Sequence, residues 1–294
     1  MNTSQMNFSS MHTHTLFCDG KDDIETMCRA AFEKKMCAIG FSAHMAFPKH
    51  IGLNPDWHIK EDRLEEYAAE VLAAKNRWQG KLDVYLGFEV DYIKGIRSAK
   101  DNDIKALNPD FIIGSVHFLV PINGAEPFTV DGPPEEFEKG LYEGFGGDEE
   151  ALMHSYYDAM TEMIAVGGFD ILGHADIVKV NRNNRKCCNT ESESVRQKEI
   201  AELAANAVVV AEINTGGINK KRIDETYPSL SFLHFFRKCE IPVIITADAH
   251  RAVDIDGHYN VALYTLINAG YSEHTLFNGR IDGKASWRKE KIIF

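Results

Sequence analysis

The sequence lacks any apolar run long enough to cross a bilayer, and its 294 residues show no composition break or Ser/Gly-rich linker. We therefore expect one domain over residues 1–294 and no membrane partner. The first residues also lack the basic and apolar regions of a secretory signal. A cytoplasmic protein is the expectation that follows.

Basic residues are fewer than acidic ones, and the Cys-x-x-Cys spacing does not occur. With 32 Lys and Arg against 44 Asp and Glu, the net charge is −12, and no basic stripe could neutralise the phosphates of a nucleic acid. We expect no stable nucleic-acid complex. The absence of Cys-x-x-Cys pairs argues against a thiolate zinc site. Reduced thiols without a catalytic role are predicted for all six cysteines: Cys18, Cys28, Cys37, Cys187, Cys188 and Cys239.

Histidine and carboxylate residues are present in an ordered pattern along the chain. Nine of them follow short apolar segments: His12, His14, Asp19, His44, Glu89, His117, His174, Asp248 and His250. Imidazole and carboxylate suit zinc, iron and manganese, and nine ligands exceed what one ion needs. We therefore expect two or three divalent transition-metal ions, Zn, Mn or Fe. Such a cluster clamps the attacking and leaving oxygens of a phosphate ester and turns bound water into hydroxide near neutral pH.

The apolar segments predict buried parallel strands. His12 and His14 would share one face of a strand over residues 7–15, although that pair alone fits an exposed strand equally well. The other ligands favour the metal interpretation because most of them end further strands, at 36–41, 84–88, 111–116, 169–172 and 243–245. A seventh strand is predicted at 208–213.

Segments with helical periodicity separate these strands. They cover residues 24–35, 61–77, 99–107, 149–166, 191–206, 229–239 and 258–269. Regular alternation of seven strands with helices predicts an α/β fold whose parallel sheet closes into a barrel. In such barrels the chemistry collects at the C-terminal ends of the strands, where these ligands fall.

Two loops beyond strand ends are candidates for substrate contacts. Residues 119–148 are rich in Gly, Pro and acidic side chains, and they fit a lid and a surface insertion equally well. Residues 214–229 contain Lys220, Lys221 and Arg222. These basic side chains either hold a phosphate group or are simply solvated.

Short motifs that contain the ligands occur in order along nearly the whole chain: His12-Thr13-His14 with Asp19, then 40–44, 87–92, 114–118, 173–176, 212–215 and 248–250. They resemble the successive motifs of the PHP (polymerase and histidinol phosphatase) superfamily. Within that superfamily the chain is similar to the monofunctional histidinol-phosphate phosphatases, through its length and through the sequences at 87–92, 114–118 and 227–229.

The resemblance implies a distorted (β/α)7 TIM-like barrel and a trinuclear metal site. The implied ion sites are His12, His14, Glu89 and Asp248, then Glu89 as a bridge with His117 and His174, then Asp19, His44 and His250. A metal-bridging hydroxide would attack phosphorus without a phosphoenzyme, and Glu89, Asp248 and His250 are the predicted catalytic residues. The family's phosphatases also place basic residues around the phosphate, for which Lys179, Lys221 and Arg222 are the candidates.

Three functions remain open on the sequence. The preferred one is hydrolysis of the small-molecule monoester L-histidinol phosphate in histidine biosynthesis. An alternative is a PHP phosphoesterase that acts on nucleotides or short oligonucleotides. The third is a non-catalytic, proofreading-like module of the kind attached to polymerases, against which the complete ligand set counts. Six histidines lie away from the motifs, and a surface or packing role is predicted for each: His50, His58, His154, His234, His258 and His274.

Overall fold

The computed structural model describes residues 7–182 and 191–293. Cys187, Cys188 and the first residues, on which the expectation of a missing signal rests, lie outside these ranges. Within them, no helix is both long and apolar enough to pass through a membrane.

Seven parallel strands form the central sheet, in the same order as in the sequence. They are β1 (Ser9–Ser10), β2 (Ala38–His44), β3 (Asp83–Asp91), β4 (Phe111–Ser115), β7 (Ile171–Leu172), β8 (Val210–Asn214) and β9 (Val243–Thr246). Every residue of β2 and β4 is buried, as expected for strands covered on both faces. The predicted count and order of strands are confirmed.

The sheet closes between its first and last strands. Thr13 forms a parallel bridge with Ala249, whose carbonyl accepts a hydrogen bond from the His14 amide at 2.9 Å, while its own amide donates to the His12 carbonyl at 3.0 Å. Closure therefore occurs beside the ligands. The predicted seven-stranded α/β barrel is confirmed.

Helices cover the outside of the barrel. They are α1 (Ile24–Glu33), α2 (Leu64–Trp78), α3 (Asn102–Ala106), α4 (Pro134–Phe145), α5 (Glu149–Val166), α6 (Glu191–Ala207), α7 (Gly216–Asn219), α8 (Leu230–Lys238) and α9 (Tyr259–Asn268). Side-chain caps at Asp23, Asp148 and Ser229 accept hydrogen bonds from first-turn amides and fix where α1, α5 and α8 begin. The helix predicted at 99–107 is shorter because Asp101 accepts hydrogen bonds from the amide and hydroxyl of Ser98, which hold a turn there.

The barrel interior changes from apolar to polar along each strand. A cluster that includes Phe111, Ile113, Ile171, Val210 and Ile244 fills the lower half. Two residues further on, the same inward face carries Ser115, Glu212 and Thr246, all buried. The strands therefore deliver polar side chains only near their C-terminal ends.

Two hairpins were not predicted from the sequence. The pair β10 (Glu273–Ile281) and β11 (Lys284–Lys291) places Phe277 against the lower apolar cluster and closes that end of the barrel. The segment predicted as a lid contains β6 (Phe128–Thr129), which pairs with β5 (Phe118–Leu119), and then α4. Charged side chains dominate Lys284–Lys291, so its period-two pattern is weak in the sequence.

Candidate metal centre

All nine predicted ligands meet at the C-terminal end of the barrel. His12 and His14 follow β1, His44 ends β2, and Glu89 lies near the end of β3. His117 follows β4 by a few residues, His174 follows β7, and Asp248 and His250 follow β9. Asp19 comes from the loop before α1.

Glu89 is the centre of this group. Its Oε2 lies 3.1 Å from His12 Nε2 and 3.1 Å from His44 Nδ1, while its Oε1 lies 2.9 Å from His174 Nε2 and 3.5 Å from His117 Nε2. His14 Nε2 also lies 3.6 Å from Oε2, so one carboxylate faces five imidazoles. This is the arrangement that a bridging carboxylate requires.

A second group surrounds Asp19 on the solvent side. Asp19 Oδ2 lies 2.9 Å from His250 Nε2, and Asp19 Oδ1 lies 3.6 Å from His14 Nδ1 and 3.9 Å from His44 Nε2. Asp248 Oδ1 connects the two groups, at 3.2 Å from His14 Nε2 and 3.8 Å from His12 Nε2.

Four sets of ligand atoms at this end of the barrel are compact enough to hold an ion, one of which, His44, His58 and Asp91, includes two residues outside the predicted ligands. The other three are His14, Asp19, His44 and His250; His12, His14 and Glu89; and His44, Glu89 and His117. The sets overlap at His14, His44 and Glu89, so the division into three separate ion sites stays a prediction.

Buried polar atoms test whether these residues fit metal ions. His14 Nε2, Asp19 Oδ1 and His44 Nδ1 are buried and have no hydrogen-bond partner among residues 7–182 and 191–293, although they face other ligand atoms. Leaving such atoms without a partner costs about 1–3 kcal/mol each. Cations would satisfy all three, because the facing nitrogens and oxygens would act as electron-pair donors. The donor set fits transition-metal ions.

The electrostatics keep Glu89 charged and shift the pKa values of the ligand histidines in opposite directions. Burial alone would raise the pKa of Glu89, but the neighbouring imidazoles, His12 foremost, lower it well below its ordinary value. Burial and the nearby His250 lower the pKa of His14 to about 4. Burial would also lower the pKa of His117, but the carboxylates of Asp91 and Glu89 outweigh it and raise that pKa to about 10.

Six of the nine ligands line the floor of a cleft of about 380 Å³: Asp19, His44, Glu89, His117, Asp248 and His250. We call all nine ligands together the cleft floor. Residues beyond the strand ends surround it and form the cleft rim, which contains Trp57, Thr129, Asp131, Gly132, Pro133, Glu136, Ile177, Lys220 and Arg222. Five of these rim residues belong to the segment predicted as a lid, so that segment supplies one wall of the cleft. Its movement stays a prediction.

The basic residues of the sequence differ in their distance from the cleft. Lys220 and Arg222 line it, and Lys220 Nζ lies 3.4 Å from Asp248 Oδ2. Arg222 donates hydrogen bonds to the carbonyl oxygens of Asp131 and Gly132. Lys221 is exposed and does not line the cleft.

Lys179 is also placed outside the cleft lining. Its ammonium donates to Asp176 Oδ2 at 3.0 Å and to the Thr226 carbonyl at 2.8 Å, and it pairs with Glu225 at 3.1 Å. These contacts hold the segment around residue 226 against the loop that follows β7. They identify Lys179 as a partner of buried protein groups.

Comparison with protein families matches residues 10–216 to the PHP domain. The chain belongs to the PHP family. Both the family and the fold predicted from the sequence are thus confirmed.

Two PHP relatives align with nearly the whole chain. One, from Deinococcus radiodurans, is named "probable histidinol-phosphatase"; it is 26% identical over 260 residues, covering 88% of this chain and 92% of the relative. The histidinol-phosphatase of Bacillus subtilis is 26% identical over 267 residues, covering 86% of this chain and 97% of the relative.

Solved structures share the PHP fold. A proposed histidinol phosphatase from Listeria monocytogenes superposes with a TM-score of 0.76 at 22% identity, covering 86% of this chain and 98% of the other. The histidinol phosphate phosphatase of Lactococcus lactis, solved with Zn, L-histidinol and phosphate, gives 0.68 at 20% identity, covering 96% and 100%. At these identities the likeness shows the fold.

Two buried carboxylates of this PHP site were not predicted as site residues. Glu212 Oε2 lies 2.9 Å from His12 Nδ1, and its Oε1 accepts from the His174 amide at 2.6 Å. Asp91 Oδ1 lies 2.8 Å from His117 Nδ1. Each is two residues from another inward polar residue on its strand, and that spacing was the signal in the sequence that could have found them.

Cys18 approaches the site without joining it. Its Sγ lies 3.5 Å from His14 Nδ1. Burial, reinforced by the Asp19 carboxylate, raises the pKa of Cys18 to about 12, so the thiol keeps its proton at neutral pH. This agrees with the prediction that Cys18 has no catalytic role.

Proposed function

We propose that this PHP protein hydrolyses L-histidinol phosphate to L-histidinol and phosphate, using two or three divalent ions of Zn, Mn or Fe held by the nine floor ligands. Glu89, Asp248 and His250 are the proposed catalytic residues among them. Relatives named for this activity align over most of their own lengths. The proposal is the activity that the sequence analysis preferred.

One observation carries the proposal: the cleft pairs a ligand cluster with rim groups of opposite charge. Lys220 and Arg222 lie on the rim together with Asp131. The Asp131 carboxylate has no hydrogen bond or ion pair within the described ranges, so it is available to a ligand. L-histidinol phosphate carries an anionic phosphate and a cationic amine, which match these two kinds of group.

The rim residues would orient the substrate over the floor. Lys220 and Arg222 would hold non-bridging phosphate oxygens, and Asp131 would accept a charge-assisted hydrogen bond from the substrate ammonium. Bound divalent ions would supply an activated water and stabilise charge on the phosphoryl oxygens. Partial burial would lower the pKa of Lys220, but the carboxylates of Asp248 and Asp19 raise it above its ordinary value, so Lys220 stays cationic at neutral pH.

We also propose that residues 119–148 act as a lid within a single domain over residues 1–294. The support is that Thr129, Asp131 and Glu136 face the cleft while α4 packs on α5. Glu136 accepts hydrogen bonds from the amide and hydroxyl of Thr129, which ties the start of α4 to the hairpin. The segment would therefore move as one unit.

The deciding experiment is steady-state turnover of L-histidinol phosphate beside sugar and nucleotide monophosphates. We expect the highest kcat/KM for L-histidinol phosphate. If nucleotides are hydrolysed instead, the chain is a PHP phosphoesterase of another specificity. If no ester is cleaved by metal-loaded protein, the enzymatic proposal is wrong.

A substitution at Asp131 tests how the amine is recognised. Asp131→Asn should lower kcat/KM for L-histidinol phosphate about 10-fold to 100-fold, the size of a charge-assisted hydrogen bond. It should hardly affect a phosphate ester that has the imidazole but no amine. Asp224→Asn, on an exposed loop, is the matched control. Equal losses on both esters would remove Asp131 from this role.

A further inference from the structure

Asp91 and His58 lie directly behind the cleft floor, and neither belongs to the predicted ligand set. Asp91 follows Glu89 by two residues on β3, and His58 comes from the loop between β2 and α2. Both are almost fully buried, with 1% and 2% of their surface exposed. A buried carboxylate beside a buried imidazole needs an explanation, because charged groups are costly to bury without a partner.

The first oxygen of Asp91 determines which ring nitrogen of His117 carries a hydrogen. Asp91 Oδ1 lies 2.8 Å from His117 Nδ1 and also accepts from the His117 amide at 3.3 Å. The His117 amide can only donate, so Asp91 Oδ1 is an acceptor there, and a carboxylate oxygen accepts from the ring nitrogen in the same way. Nδ1 of His117 therefore carries a hydrogen, and Nε2 is the ring nitrogen directed at Glu89 and His174, at 3.5 and 3.2 Å, where an ion would bind.

The second oxygen of Asp91 faces His58. Asp91 Oδ2 lies 3.1 Å from His58 Nε2, an ion-pair distance, and neither atom has a hydrogen-bond partner among the described residues. The other ring nitrogen of His58, Nδ1, donates to the Met45 carbonyl at 2.8 Å. The His58 ring also stacks on Phe47, with ring centroids 4.8 Å apart. The ring is thus held from two sides and presents one nitrogen to Asp91.

Glu212 offers a comparison within the same site. It also holds a ligand histidine, but its oxygens are shared among His12, Thr246, Asn214 and the His174 amide. Losing one of these contacts leaves the others in place. In the described ranges Asp91 Oδ2 has His58 as its only side-chain neighbour at ion-pair distance, so its orientation depends on position 58.

We propose that Asp91 and His58 are positioning residues: His58 holds Asp91, and Asp91 fixes the ring and the proton position of His117 for metal binding. The inference rests on the proposed use of metal ions at the floor, and does not depend on which ester is cleaved. Carboxylates that orient ligating histidines typically change metal affinity by about 10-fold to 100-fold when substituted.

Two substitutions of His58 separate its two contacts. The amide nitrogen of His58→Gln can occupy the place of Nε2 and so offer a donor toward Asp91. The shorter His58→Asn can keep a donor toward the Met45 carbonyl but cannot reach Asp91. We expect His58→Asn to weaken zinc binding about 10-fold, with His58→Gln close to the parent. At saturating zinc, KM for L-histidinol phosphate should be unchanged in both variants.

Zinc affinity and stoichiometry would be measured by competition with a chromophoric chelator, together with the thermal midpoint of each metal-loaded protein. Equal zinc affinity in the parent and His58→Asn would overturn the proposal. So would an equal loss in both variants, which would mean that His58 anchors its loop, or the loss of one whole equivalent of zinc, which would make His58 a ligand.

Asp91→Asn provides an independent test if the His58 variants fold poorly. The amide oxygen can still accept from His117, but the charge is lost, so zinc affinity should fall while stoichiometry at saturation is kept. Unchanged affinity in this isosteric variant would overturn the proposal. If the parent itself binds no zinc, manganese or iron, the proposed metal site fails instead, which is a distinguishable result.

Discussion

The cleft floor and the cleft rim are built in different ways. Most floor residues follow or end barrel strands and are almost fully buried, as with Glu89 at 0% and His174 at 1% exposure, whereas Asp19 and His250 are half-buried. Rim residues lie outside the barrel strands, mostly on loops, and the Lys220 side chain keeps 42% of its surface exposed. Strand register fixes the floor, whereas loop conformation sets the rim. A barrel can therefore keep its chemistry while its loops change which ester is bound.

Hydrogen bonding shows the same contrast. Floor carboxylates face several imidazoles at once, so each position depends on its neighbours. Arg222 instead bonds backbone carbonyl oxygens at residues 131 and 132, which ties one rim loop to another. Changes at the floor should therefore remove activity through the cluster as a whole, and changes at the rim should alter substrate binding alone.

Metal removal should have the largest effect. Chelation is expected to abolish hydrolysis of L-histidinol phosphate, and added Zn, Mn or Fe should restore it, since the floor ligands have no other proposed use. Activity and metal content would be measured together, with circular dichroism to show that the barrel stays folded. Full activity in thoroughly metal-free protein would show that the floor ligands do not act by binding metal ions.

Glu89→Gln should have the next largest effect. The carboxylate faces five imidazoles, so loss of its charge affects more than one proposed ion and should lower kcat/KM roughly 1000-fold, the upper range for one preorganised electrostatic group. Metal stoichiometry should fall with it. The matched control is Glu70→Gln on the exposed face of α2. A variant that keeps both its metals and its rate would exclude Glu89 from the site.

A rim substitution should act more weakly and without loss of metal. Lys220→Ala is expected to lower kcat/KM about 10-fold to 100-fold through one charge-assisted contact with phosphate. Lys221→Ala is the neighbouring control, because Lys221 does not line the cleft. Kinetics and metal content of both variants would be compared. Equal behaviour of the two lysines would contradict the described course of this loop.

The floor could be predicted from the sequence because its geometry follows from strand periodicity. Residues such as His12 and His14 alternate on one face, and a parallel barrel gathers all its strand ends in one place. Asp91 and Glu212 follow the same rule, yet they were not predicted as site residues. Their role depends on which ring nitrogen they face, and spacing alone does not show that.

The rim could not be resolved in the same way. Lys220 ends α7 with ordinary helical backbone, whereas Lys221 has φ +54°, so consecutive side chains leave the chain in different directions. A left-handed residue other than Gly, Asn or Asp is uncommon and gives little signal in the sequence. The basic run at 220–222 was therefore visible, but the lysine that faces the cleft was not distinguished.

The pH dependence of metal binding should give the smallest effect. It shows whether the proton that a bound ion displaces comes from a floor residue or from a rim residue. His117, on the floor, has its pKa raised to about 10 from an ordinary value of 6.5, because the Asp91 and Glu89 carboxylates outweigh its burial. In the metal-free protein His117 therefore holds a proton at pH 7 that an ion must displace. Zinc affinity should rise by up to about tenfold per pH unit, with proton release.

The sign for stability is the opposite. A folded-state pKa above the ordinary value means that protonated His117 stabilises the metal-free protein fully below about pH 6.5, and that this contribution disappears as the pH rises toward about 10. Urea unfolding of metal-free protein over that range would measure the loss. Calorimetric titration with zinc in buffers of different ionisation enthalpy would count the protons. Asp91→Asn should reduce proton release, and Lys220→Ala should leave proton release unchanged. If Lys220→Ala changed proton release and Asp91→Asn did not, the released proton would belong to the rim.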